Sequence, residues 1–177
     1  MPDAGLAKLA PDGSTKLTPD GGAKLAPDAT SEPPDAGVRE VRLRNGSLAK
    51  VSPGGRVLII DAYGNVNAES YCGPGGYDAA VAYMTKLQTA LRTGDETVAD
   101  LVHYPLRLNK AGGYREVANK TELIANFSKI FTSSTKRGIL SADPGEVFCN
   151  DDGDMWGDGI IWVGEYDEGL ALDVINQ

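Results

Sequence analysis

An α+β fold is predicted for the chain from about residue 71 onward, and two observations predict it. Tyr77, Ala80, Val81, Met84, Leu87 and Leu91 recur at helical spacing up to Gly94. The last third of the chain then alternates short apolar runs with Asp- and Gly-rich turns, the pattern of an antiparallel meander. The 177 residues open on a repetitive stretch, and the roughly 140 that remain suit one core.

Residues 5–12, 13–20 and 21–28 repeat the unit Gly-x-x-Lys-Leu-x-Pro-Asp. One fixed leucine per unit cannot repay the entropy of ordering the backbone, and each Pro-Asp-Gly breaks a helix. Residues 1–36 therefore read as a disordered repeat linker. Residues 37–70 read as a short β-hairpin extension, with strands at 38–43 and 56–60 and turn residues at Asn45-Gly46 and Pro53-Gly54-Gly55. The Gly73-Pro74-Gly75-Gly76 stretch marks a break before the first helix.

Beyond Gly94, Asp95 opens a second helix carrying Val98, Leu101 and Val102, which stops before Pro105 because a residue preceding proline is pushed out of helical geometry. Residues 106–108 read as a strand, Lys110-Ala111-Gly112-Gly113 as a turn, and residues 114–117 as its partner. Asn119 and Glu122 have capping spacing ahead of a third helix with Leu123, Ile124, Phe127, Ile130 and Phe131 on one face. Three strands follow, at 146–150, 159–163 and 170–175.

The net charge is -8, and no basic cluster occurs along the chain, which argues against nucleic acid or anionic lipid as partners. No apolar run approaches the roughly eighteen residues of a membrane span. The chain opens Met-Pro-Asp-Ala-Gly without the charged and apolar regions of a signal peptide, yet the tail has the composition of a tether behind an export signal or lipoprotein anchor. Export to a periplasm or cell surface is the expectation. Cys72 and Cys149 pair if that compartment is oxidising, and are two buried thiols if it is not.

His103-Tyr104-Pro105-Leu106, Phe127 with Ile130-Phe131, Val147-Phe148-Cys149-Asn150, the run from Met155 through Trp156 to Trp162, and Val174-Ile175-Asn176 occur in a telling order. Over about residues 75–177 the chain thereby resembles bacterial domains of the nuclear-transport-factor-2-like (NTF2-like) superfamily. That resemblance implies a cone, a curved antiparallel sheet packed on about three helices with a pocket between them. It also implies homodimerisation through the sheet face. Members include isomerases, dehydratases and proteins without catalysis, so the fold leaves function open.

His103 is the only histidine, and Asp100, three residues earlier on the predicted helix, would tune it as a general base. Tyr104, Trp156 and Trp162 are candidate walls of the ligand pocket, with core packing the alternative for both tryptophans. Asp152, Asp154 and Asp158 crowd one turn and offer carboxylates to calcium, although Trp156 and Val163 occupy places where an EF-hand needs ligands. No other cofactor is expected. Ten acidic residues and no lysine or arginine follow Arg137, a field that draws cations or a basic partner. Phosphate-loop, dinucleotide and nucleophile-elbow motifs are missing from the sequence. The expectation is a non-catalytic NTF2-like domain that binds a small molecule or a protein. The alternatives are a small lyase or isomerase using His103 and Asp100, and a calcium-dependent adhesion module.

Overall fold

Alternating apolar and polar residues ahead of the Gly73 break build more than a hairpin. In the computed structural model, which describes residues 37–73 and 75–177, they form four strands: β1 (Arg39–Arg42), β2 (Leu48–Val51), β3 (Arg56–Ile60) and β4 (Val66–Tyr71). Each pairs antiparallel with the next. Ala49 lies opposite Ile59 and Val51 opposite Val57, so all four share one face, and all four are buried in the core. The expected hairpin is thus a complete small sheet. The repeat linker expected over residues 1–36 lies outside the described residues.

Gly55 and Gly73 show why glycine is needed beside this sheet. Gly55 has φ +93°, and the Gly73 backbone occupies the place of its missing side chain. The Cys72 amide donates to the Gly55 carbonyl at 2.9 Å, closing the approach.

The helical stripe forms α1 (Gly76–Thr93), which buries Tyr77, Ala80, Met84 and Leu87 and stops at Gly94 with φ +154°. Gln88 is buried on the same face, and its amide donates to the carbonyls of Ile139 and Ala142 at 2.8 Å each. Helix α2 (Asp95–Ala99) is shorter than its apolar spacing suggests. Leu101 and Val102 leave it for the sheet: the Leu172 amide donates to the Leu101 carbonyl at 2.9 Å, and Val102 pairs with Leu172.

β5 (Val102–Lys110) and β6 (Gly113–Val117) form the expected hairpin, with a longer first strand that runs through a cis Tyr104-Pro105 bond. The Asn119 side chain accepts from the Glu122 amide at 3.0 Å, and the Glu122 carboxylate accepts from the Ala118 amide at 2.8 Å. Those two bonds fix the start of α3 (Lys120–Ala125). The single third helix of the sequence reading breaks at Asn126, and α4 (Phe127–Ile130) follows. Thr132 then caps α5 (Ser133–Ser141), a helix the apolar pattern does not reveal. The described residues therefore carry five helices where about three were expected.

The last segment holds four strands rather than three: β7 (Phe148–Asn150), β8 (Gly153–Trp156), β9 (Ile161–Tyr166) and β10 (Gly169–Asn176). They complete a six-stranded sheet in the order β6-β5-β10-β9-β8-β7. Every pair is antiparallel except β10 with β5, which run parallel. Residues of both sheets and of α1, α3 and α5 join one hydrophobic core, where Trp156, Phe131 and Met84 are among the largest fully buried side chains. Among the described residues no helix is long and apolar enough to cross a membrane.

Candidate functional site

The site begins with the register of the β7–β8 hairpin. Cys149 and Asp154 are direct partners across it, and directly opposed residues of an antiparallel pair point to the same face. Asn150 accepts from the Asp152 amide at 2.9 Å and shapes the tight turn between them. Cys149 is bonded to Cys72, which follows β4 directly, with 4.9 Å between the Cα atoms. Since β4 ends the small sheet and β7 ends the large one, the disulfide staples the two sheets edge to edge.

Beside this bridge lies a cleft of about 480 Å³, walled by Tyr71, Tyr166, the disulfide and the start of α1. Asp151, Asp152, Asp154, Glu165 and Asp173 line it, and no lysine or arginine does among the described residues. Asp154 is half-buried. Burial, reinforced by the nearby Glu165 carboxylate, pushes its carboxyl up to about 6. An acidic cleft with one carboxyl able to hold a proton near neutrality attracts a cation and can exchange a proton with what it binds.

The neighbouring cleft, about 750 Å³, shares Glu165 and Tyr166 with the first and is bordered by His103, Tyr104 and Asp100. The β10–β5 register shifts here, so that residues 103–106 stand across from the single residue Asp173. His103 stacks on Tyr166, with ring centroids 3.7 Å apart and planes 8° from parallel. Its buried Nδ1 lies 3.6 Å from Asp173 Oδ1, too far for a hydrogen bond, and has no other partner among the described residues. Burial, and then the Asp173 carboxylate, push the Tyr166 hydroxyl up to about 12.

The expected His103–Asp100 pair is not formed. It presumed one helix through both residues, whereas α2 ends at Ala99, and Asp100 binds Lys120 Nζ at 2.5 Å. The acid facing His103 is Asp173, seventy residues further on.

Tyr104, Trp156 and Trp162 do not wall a common pocket. The Tyr104 hydroxyl donates to the Ala99 carbonyl at 3.1 Å beside the second cleft. Trp156 is core, 1% exposed, with its indole donating to the Pro144 carbonyl at 3.0 Å. Trp162 is half-buried on β9 and borders neither of these clefts.

The three calcium candidates also diverge. Asp152 is exposed in the turn, Asp154 faces the disulfide from within β8, and Asp158 sits beyond β8 in a left-handed turn with φ 55°, beside Glu146. Among the described residues the one group of three candidate ligands within 4.8 Å is Cys72, Cys149 and Asp154, and both cysteines are committed to the disulfide. Tyr71, Glu165, Tyr166 and Asp173 belong to the site yet give no sign of it in sequence. The acidic run after Arg137 was the one available signal, and it names the region without the residues.

The fold and site define a two-sheet α+β domain with a disulfide-walled acidic cleft. Comparison with known proteins returns no matching family model, no matching curated protein and no matching solved structure.

Proposed function

We propose that this is an exported, non-catalytic domain of the NTF2-like kind, and that it binds a small organic cation in the cleft beside the Cys72–Cys149 bridge. The observation that carries the reading is that cleft: two tyrosines for an apolar body, and carboxylates with no neutralising lysine or arginine among the described residues for a positive end. The order of elements supports the NTF2-like assignment over residues 76–176: two helices, a hairpin, further helices, then a meander whose last strand returns beside the first strand of the hairpin. The disulfide is compatible with an oxidising compartment. The rival reading as a lyase or isomerase loses its expected base pair, because Asp100 is held by Lys120.

Isothermal titration of the full chain with spermidine tests the proposal. Binding that weakens with salt and is lost in a Glu165→Gln/Asp173→Asn double variant is the expected result. Absence of heat at low ionic strength, together with an unchanged Tm, refutes it.

A further inference from the structure

The same cleft exposes sulfur chemistry that does not depend on any cation. Cys149 is 2% exposed, whereas Cys72 is only half-buried, and both border the cleft. A carboxyl oxygen of Asp154 lies within 4.8 Å of both sulfurs, because the β7–β8 register puts Asp154 directly across from Cys149. A disulfide that served only as a staple would need no opening to solvent and no acid at its buried sulfur.

From this geometry we infer that the Cys72–Cys149 bridge is a thiol-exchange site, attacked at Cys72 by a small thiol entering the cleft, with Asp154 delivering the proton to the departing Cys149 sulfur. The thiolate RS⁻ forms a bond to Cys72 Sγ as the Cys72–Cys149 bond breaks, and the electron pair leaves on Cys149 Sγ. The Asp154 carboxylic acid gives its proton to that sulfur and becomes a carboxylate. A second thiolate attacks the mixed disulfide, releasing RSSR and the Cys72 thiolate, which takes a proton from solvent. Two thiols are oxidised and one protein disulfide is reduced, with Asp154 reprotonated from water. The break removes the covalent link between β4 and β7, the two sheet edges that the bridge joins.

The surroundings of Asp154 set how the reaction depends on pH. Glu165 and Tyr166 face it from β9, Asp173 from β10, Tyr71 from β4, and Asp151 and Asp152 from the turn, while α1 presents only Gly76 and Ala79 to the cleft. Glu165 opposes ionisation of Asp154, and Asp154 once ionised adds its charge to a cleft that repels an incoming thiolate. The rate per unit thiolate therefore falls as pH rises through about 6.

The test is the reduction of the native full chain by 2-mercaptoethanol without denaturant, quenched with iodoacetamide and read by peptide mass. The mercaptoethanol adduct is expected on Cys72 and the alkyl group on Cys149. At pH 5 the Asp154→Asn variant should react about a hundredfold more slowly than wild type, the lower end of what a positioned proton donor contributes. At pH 8 it should match or exceed wild type, since the ionised carboxylate no longer repels the thiolate. Glu165→Gln should move the wild-type inflection to lower pH without abolishing it. Parallel pH profiles for wild type and Asp154→Asn, an adduct on Cys149, or reduction only at the rate of global unfolding would each overturn the inference.

Discussion

Replacing both Cys72 and Cys149 by alanine should cost more stability than any single substitution in the core. The bridge spans 77 residues. On the chain-entropy model, releasing a loop of that length gives the unfolded state about 4.5 kcal/mol at 25 °C. The smaller side chain at buried Cys149 adds about 1 kcal/mol. Roughly 140 residues unfold with an entropy near 0.3 kcal/mol/K, so the loop contribution alone lowers Tm by about 15 °C. Urea denaturation supplies a second readout: the m-value should rise, because an unbridged unfolded chain exposes more surface. A loss below about 2 kcal/mol with an unchanged m-value would refute the reasoning, and would mean that the unfolded chain keeps residues 72 and 149 close without the bond.

Asp154→Asn should stabilise the protein at pH 7.5 and leave it unchanged at pH 4. Moving a carboxyl from 3.8 to about 6 corresponds to about 3 kcal/mol, which screening in the open cleft reduces to about 1.5 kcal/mol. The sign follows from the raised value: the folded state holds the proton more tightly, so the contribution is full below about pH 4 and lost as pH rises through about 6. Thermal melts of both forms from pH 4 to 8 check it, and a difference that does not change with pH would sink it. Trp156→Phe should cost about 1 to 3 kcal/mol, because the buried Pro144 carbonyl loses its indole donor; chemical denaturation reads this directly, and a neutral result would mean the bond contributes nothing. Gly55→Ala should cost about 3 kcal/mol, since the Gly73 backbone fills the place of the new methyl at φ +93°; a melt within a degree or two of wild type would contradict that crowding. Substituting His103 and Asp100 singly and together should give additive losses, because the two have different partners, and a coupling above about 0.5 kcal/mol would show that they interact.

Local signals carried the elements that local physics decides. Helix α1 announced itself because its core-facing residues repeat at helical spacing over eighteen residues, and α3 because Asn119 and Glu122 satisfy its first amides. Helix α5 stayed hidden because it buries only Thr135 and Ile139 and contains Gly138, too thin a stripe to read. Strand β8 was mistaken for a turn because Gly153 and Asp154 look like turn residues, whereas Cys149 and Val163, opposite Asp154 on either side, hold it in the sheet. Leu101 and Val102 fitted a helix by spacing and joined the sheet because Leu172 offered a partner. The site suffered most from this. Its walls come from β4, β8, β9 and β10, and nothing in the neighbourhood of Tyr71 along the chain points to Glu165 or Asp173.

The parallel pairing of β10 with β5 governs the order in which the domain can be assembled during synthesis. β1 to β4 are neighbours in sequence and in space, so the small sheet can close as soon as Tyr71 leaves the ribosome. In the large sheet, among the described residues, β5–β6 and β7–β9 are joined by strand pairing only through β10, whose residues 169–176 are made after all the others in it. Until then a finished hairpin and a finished meander each show an unpaired edge, β5 on one and β9 on the other, and must be kept apart from other chains. Nascent chains arrested before Gly169 should accordingly be cut by protease within residues 102–166 while the small sheet resists, and equal protection of both would mean that the large sheet closes some other way.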